Sequence, residues 1–192
     1  DTVKQAVKSA HFVIEAAPEK LELKQSIFAE IEANAPATAI LASNTSVIQI
    51  TKFMQGLKTP ARALGTHWWN PPHQIPLVEV IKTEWTKNEA AQAMFDLLAS
   101  VGKTPVMVEK DVPGFIGNRL PHALWREAIS LVENGICDAE AVDTVIKSSF
   151  GRRLAVLGPL ENADLVGTDL SLDIHENVLF DLESRQGPSP YL

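Results

Sequence analysis

The sequence predicts an α/β protein in which a mostly parallel sheet is followed by an all-helical part. Three observations lead there. Up to about residue 110, short apolar runs alternate with stretches of helical periodicity, the pattern of βαβ units. From Phe115 onward the helical periodicity continues with almost no strand signal. The chain has 192 residues and 45% hydrophobic content, enough to bury a core in one or two domains. The texture changes after Asp111-Val112-Pro113-Gly114, so the chain divides near Lys110 into residues 1–110 and residues 111–192.

Each element has its own signal. Residues 11–16 (HFVIEA) read as the first strand, and residues 18–33 as a helix with Leu21, Phe28 and Ile31 at helical spacing. Residues 39–42 (AILA) make a second strand that runs into Ser43-Asn44-Thr45-Ser46. After a short mixed segment, residues 63–66 and 77–81 supply strands three and four. Thr86-Lys87-Asn88-Glu89 has the form of a capping box, which predicts a helix to Val101, closed by Gly102. Residues 105–108 are the last strand. Helices then occupy residues 118–133, 138–150 and 159–181, interrupted by Gly135 and Gly151, with Asp138 as the N-cap of the second.

The bulk numbers exclude several function classes. A net charge of −7 argues against nucleic acid or an anionic membrane surface as partner. Cys137 is the single cysteine, so no intrachain disulfide forms, and a reducing compartment fits. No apolar stretch approaches the roughly 20 residues of a membrane span, and the start has no signal-peptide pattern. These features describe a cytoplasmic protein, or an organellar one without its targeting segment.

The stretch Gly65-Thr66-His67-Trp68-Trp69-Asn70-Pro71-Pro72, followed by Leu77-Val78-Glu79-Val80, carries the chemistry. His67 closes one apolar run, and Glu79 lies twelve positions later inside another, where the strand pattern half-buries it. A carboxylate left unpaired there is costly, so a partner is required. A His67–Glu79 contact satisfies both groups and fixes the tautomer of a general base. The rival readings make His67 a structural residue and Glu79 a partner of Lys82 or Arg62. In an open parallel sheet, ligands bind beyond the carboxyl ends of the strands. Strand one leads to Glu15 and Glu19, strand two to residues 43–46, and strand three to His67 and Asn70, so three polar ends converge on one rim. Residues 43–46 also suit a simple turn, Asn118 an N-cap, and Arg119 a solvated charge. Trp68 and Trp69 read as packing residues, one on each side of the extended chain. His73 and His122 have no metal-ligand spacing, and no metal is assigned.

These blocks carry a family resemblance. Val13-Ile14-Glu15-Ala16 through Glu19 and Lys24, Ser43-Asn44-Thr45-Ser46, Gly65-Thr66-His67 with Asn70-Pro71, Leu77-Val78-Glu79-Val80, and Pro113-Gly114-Phe115-Ile116 with Asn118-Arg119 resemble the L-3-hydroxyacyl-CoA dehydrogenase family. Gly158-Pro159-Leu160-Glu161 with Asp164-Leu165-Val166-Gly167 resembles its C-terminal helical domain. The blocks follow the family's order over nearly the whole chain and are specific as a set.

The resemblance implies the second half of a Rossmann-type NAD-binding domain in residues 1–110 and a helical dimerisation and substrate domain, incomplete at its end, in residues 111–192. It implies His67 as catalytic base and Glu79 as its partner. Ser46 and Asn118 become the groups that hold the reacting oxygen and assist the histidine, and Glu19, Lys24 and Asn44 line the nicotinamide–ribose part of the NAD site. The implied reaction oxidises the 3-hydroxyl of an L-3-hydroxyacyl-CoA to a ketone, in fatty acid metabolism, in a homodimer. Three departures qualify it. The family's glycine-rich first half is missing, since no Gly-x-Gly-x-x-Gly occurs, and so is its Lys- and Gly-rich ending. The chain therefore reads as cut at both ends, and as given it should bind NAD poorly and turn over slowly. Finally, Pro76 stands where acyl-CoA members often place a lysine, and Trp68-Trp69 replaces the family's usual smaller side chains, which would narrow the substrate space. That wording is closer to relatives acting on small free hydroxy acids, such as gulonate or carnitine. Two further alternatives are a non-catalytic, crystallin-like relative and a segment of a larger chain that also carries a hydratase.

Overall fold

The computed structural model describes residues 2–191. Five strands, β1 (Phe12–Glu15), β2 (Ile40–Ser43), β3 (Ala63–Trp68), β4 (Leu77–Ile81) and β5 (Thr104–Val108), form one sheet in sequential order. The pairs β1–β2, β2–β3 and β4–β5 are parallel, and β3–β4 is antiparallel. Helices α2 (Leu21–Asn34), α3 (Ile50–Met54) and α4 (Asn88–Ser100) make the crossovers of the three parallel pairs. The mostly parallel α/β fold expected from the alternating pattern is present.

Both faces of the sheet are covered, and the two-residue strand period divides the core between them. Leu41 packs with Phe28, Ile31, Ile50 and Phe53, and its neighbours Ile40 and Ala42 pack on the other face with Leu64, Val78, Met94 and Leu98. Phe28 and Phe53 stack at 5.3 Å between ring centroids. Burying one such side chain stabilises the fold by roughly 1.5–3 kcal/mol.

Some boundaries differ from the sequence reading, each for a local reason. The capping box at Thr86 does not form: Lys87 is the N-cap without a side-chain bond. The Thr86 hydroxyl instead donates to the Ala63 carbonyl and accepts from the Thr83 N–H. Helix α2 starts at Leu21 rather than at residue 18, because residues 17–19 form a loop tied down by side chains at the sheet rim. Helix α1 (Val3–Val7) was not expected, although Thr2 and Gln5 form a true capping box. Helix α3 was missed as well, since five residues are too few to display a period.

Gly65, in the middle of β3, owes its identity to space. A Cβ there would stand 2.6 Å from Ile50 Cδ1 and 3.2 Å from Ile81 Cβ. Gly65→Ala should therefore cost about 1–3 kcal/mol, the usual penalty of overpacking. Urea unfolding checks this, and an unchanged midpoint would show that α3 floats freely on the sheet.

The chain forms two compact units, one ending at Arg119 and the other beginning at Leu120. The break lies beyond the change of pattern near Lys110 because residues 111–118 bind back to the first unit. Asp111 Oδ2 accepts from the N–H and hydroxyl of Thr51, and Asn118 donates to the Ser46 carbonyl. The second unit is helical, with α5 (Arg119–Glu133, whose first residue closes the first unit), α6 (Ala139–Ser148), α7 (Pro159–Val166) and α8 (Thr168–Val178). Asp138 caps α6 as expected, accepting from the Ala141 N–H at 2.8 Å. The single helix expected over residues 159–181 is two, because Gly167 sits at φ +108° between α7 and α8. Among the described residues, no helix is long and apolar enough to cross a membrane.

Candidate active site

Register brings the two chemical residues together. In the antiparallel β3–β4 pair His67 stands directly opposite Glu79. The two residues are buried, 4% and 1% exposed, and His67 Nδ1 lies 2.7 Å from Glu79 Oε2. The rival partners are engaged elsewhere: Lys82 pairs with Glu109, and the Arg62 guanidinium donates to the carbonyls of Pro36 and Ala39.

The other carboxylate oxygen is served by the segment after β5. Gly114 (φ +77°) and Phe115 (φ +50°) are successive left-handed residues. They turn the N–H groups of Ile116 and Gly117 onto Glu79 Oε1, at 2.8 and 3.0 Å. Successive amides in such a turn make an anion-binding concavity, here filled by a side chain of the same chain. Phe115 is a non-glycine residue in a costly conformation, held there by burial at 1% exposure and by packing 5.4 Å from the His67 ring. Gly114→Ala should cost about 1–2 kcal/mol through its left-handed backbone. Loss of the Glu79 amide contacts in that variant, read by hydrogen exchange at Ile116 and Gly117, would accompany it.

Burial by itself raises the Glu79 carboxyl. The hydrogen bonds from His67, Gly117 and Ile116, with the attraction of His67, outweigh that and hold it below the usual carboxylate range. An ionised carboxylate only accepts hydrogen bonds, so the shared proton resides on His67 Nδ1. In the neutral ring Nε2 is then the acceptor, and among the described residues it has no hydrogen-bond partner. The arrangement is an oriented imidazole with its basic nitrogen available.

His67 lines a cleft of about 490 Å³ at the carboxyl ends of β1, β2 and β3. Ile14 contributes from β1, Asn44 and Ser46 from the loop after β2, Trp68 from β3 and Asn118 from the segment beyond β5. Asn44 Oδ1 accepts from the Trp68 N–H at 3.0 Å, tying the β2 loop to β3. Asn118 Nδ2 donates to the Ser46 carbonyl at 3.1 Å. Ser46, His67, Asn44 and Asn118 therefore share one cleft, while Glu79 stands behind the histidine.

Glu19 and Lys24 stand differently. The Glu19 carboxylate accepts from the Ser46 N–H and the Thr45 hydroxyl, and so shapes the β2 loop. Lys24 is fully buried, and its ammonium donates to both Glu15 oxygens at 2.9 and 3.0 Å and to the Ala17 carbonyl. Ser43 donates to the same Glu15 carboxylate at 2.6 Å. This buried Glu15–Lys24–Ser43 group locks the rim, and Lys24 does not line the cleft; its donors are spent on the protein. The sequence by itself reads Trp68 and Trp69 as packing residues, and only the resemblance lets them narrow the substrate space; both line the cleft, as does Pro72, which the sequence reading did not single out. Two adjacent aromatics right after a strand-end histidine were the available signal. Trp68 carries the Lys103 ammonium 5.4 Å above its ring, and Trp69 lies 5.8 Å from the His67 ring.

A buried histidine–carboxylate pair at the carboxyl rim of a mostly parallel sheet is suited to move a proton beside a bound ligand. Residues 1–112 match the family model of the 3-hydroxyacyl-CoA dehydrogenase NAD binding domain, and residues 114–191 that of the 3-hydroxyacyl-CoA dehydrogenase C-terminal domain. The chain belongs to the 3-hydroxyacyl-CoA dehydrogenase family, whose cofactor is NAD. It is 40% identical over 190 residues to 5-formyl-3-hydroxy-2-methylpyridine 4-carboxylate 5-dehydrogenase of Mesorhizobium japonicum, covering 99% of this chain and 62% of that protein. It is 38% identical over 172 residues to L-carnitine dehydrogenase of the same organism, covering 89% and 47%. A crystal structure of the pyridine-carboxylate enzyme, described as an NAD+-dependent dismutase, matches with a TM-score of 0.93 at 40% identity, over 99% of this chain and 62% of that one. The chain thus spans about half to three-fifths of the length of these relatives.

Proposed function

We propose that this chain carries the proton-transfer half of an NAD-dependent dehydrogenase acting on a compact free hydroxy acid or a closely related small acid. The single observation behind it is the oriented His67–Glu79 pair, with Ser46 and Asn118 in the same cleft. The cleft fits the nicotinamide end of the cofactor: Ile14 offers an apolar wall and Asn44 an amide whose nitrogen has no partner among the described residues. Bound there, NAD would accept the hydride from the substrate carbon. His67 Nε2 removes the hydroxyl proton, Glu79 stabilises the charge that the ring then carries, and Ser46 and Asn118 orient the substrate oxygen.

Two features favour a small free acid over the acyl-CoA thioester that the family name suggests. The relatives described above are named for a pyridine carboxylate and for carnitine, and the cleft beside His67 is walled by two tryptophans. The thioester is the second reading, carried by the family itself. NADH formation, measured with carnitine, gulonate and L-3-hydroxybutyrate against L-3-hydroxybutyryl-CoA, decides between them. A kcat/KM higher for the thioester by a factor of ten or more would reverse the proposal.

The helical unit is proposed as a homodimer interface. None of its helices has a buried residue, and Leu160, Leu165, Leu170, Leu172 and Phe180 are exposed. Apolar surface of that extent usually marks an association face. Light scattering at micromolar concentration should give twice the chain mass, and a monomer mass would remove the interface.

A further inference from the structure

We infer that Trp69 and Gly117 form a size-matched pair that makes the Trp69 indole the wall limiting how bulky a substrate can be beside His67; this rests on the dehydrogenase reading above. Gly117 is absent from the left-handed positions of the chain, so its backbone does not require glycine. Space does. A Cβ on Gly117 would stand 2.7 Å from Trp69 Cζ2, 3.1 Å from Trp69 Nε1 and 2.8 Å from Glu79 Oε2. The edge of the indole is therefore pressed against the bare Cα of Gly117, in the same turn whose N–H groups hold Glu79. The Trp69 Nε1 atom is buried and has no hydrogen-bond partner among the described residues. That cost persists only because packing dictates the ring's position.

The consequence is steric selection at the reacting carbon. Trp69 lines the cleft, and its ring lies 5.8 Å from the His67 ring at 50°. The glycine lets a full indole fit there. With a branched residue at 117, the indole edge would have to move away from that Cα, taking the wall with it. Trp68 does not share this role in the same way, since Lys103 covers one face of its ring and bonds the carbonyls of Pro72 and Ile75.

The test uses the protein expressed from its own complete gene, in four forms: wild type, Trp69→Ala, Gly117→Val and the double variant. Free L-3-hydroxy acids of four, six and eight carbons are assayed with NAD. In the wild type kcat/KM should fall with chain length. In Trp69→Ala the eight-to-four-carbon ratio should rise at least tenfold, the discrimination that a methylene or two in a pocket supplies. An unchanged ratio overturns the inference. Thermal unfolding of the four forms gives a readout independent of turnover: the loss of Tm caused by Gly117→Val should be at most half as large when Trp69 is already alanine. Equal losses in both backgrounds overturn the pairing. If the wild type oxidises none of the free acids, the proposed substrate class fails. The same ratios measured on the CoA thioesters, together with the unfolding cycle, then decide the Trp69–Gly117 pair by itself.

Discussion

Replacing His67 with glutamine is expected to lower kcat by about 10²–10⁴-fold, the range for loss of a positioned acid–base group. Glutamine can still donate to Glu79 Oε2 and nearly fills the volume of the ring, so the pair's packing survives. It has no counterpart of Nε2, the ring nitrogen that the 2.7 Å bond through Nδ1 leaves available. NAD affinity should change little, because the side chain acts on the substrate proton. The variant is measured in the protein expressed from its complete gene, with kcat and cofactor Kd determined separately. Turnover within a factor of three of wild type would strip His67 of the assigned role. A parallel loss of NAD affinity would instead mean that the substitution had disturbed the cleft.

The second large effect falls on stability. Glu79 is 1% exposed and accepts three hydrogen bonds, from His67, Ile116 and Gly117. Glu79→Gln keeps one acceptor oxygen for the Ile116 and Gly117 N–H groups and sets its N–H₂ against His67 Nδ1, whose proton must then move to Nε2. Losing the charge from these buried hydrogen bonds should cost about 1.5–3 kcal/mol at pH 7. The effect has a defined pH dependence. The carboxyl is held below its usual range in the folded protein, so its contribution to stability is complete above the unfolded carboxylate value of about 4.3. It is lost as pH falls through the lower folded value. Urea unfolding of wild type and variant should therefore show a gap that is constant from pH 7 to about 5 and narrows in acid. A gap that widens on acidification would mean that Glu79 is protonated in the native state and that the bond to His67 has the opposite polarity.

Much of the fold was legible because it rests on local pattern. The five strands follow from apolar runs, and β4 was placed at its observed bounds. Asp138 was recognisable as a cap because an N-cap bond spans only three residues. The capping box at Thr86 failed because a distant carbonyl, Ala63, outcompeted the helix for the hydroxyl. Gly167 was passed over in a continuous helical pattern, although its positive φ breaks the helix there.

The site divides along the same line. By itself the sequence placed a histidine at the end of one strand and a carboxylate inside the next, which residue type and strand period carry. That Ser46, Asn44 and Asn118 belong with them was implied by the family resemblance of the blocks, since alone residues 43–46 suit a turn and Asn118 an N-cap. Only the tertiary structure decided that β3 and β4 run antiparallel in the register that sets His67 on Glu79. It alone showed that the turn at Gly114 and Phe115 supplies the carboxylate's other two bonds. It also turned Lys24 inward to Glu15, away from the cleft. These outcomes depend on contacts between residues 9 to 38 positions apart. Which of several donors reaches a given acceptor over such separations is settled by how the elements pack, and no local pattern encodes it.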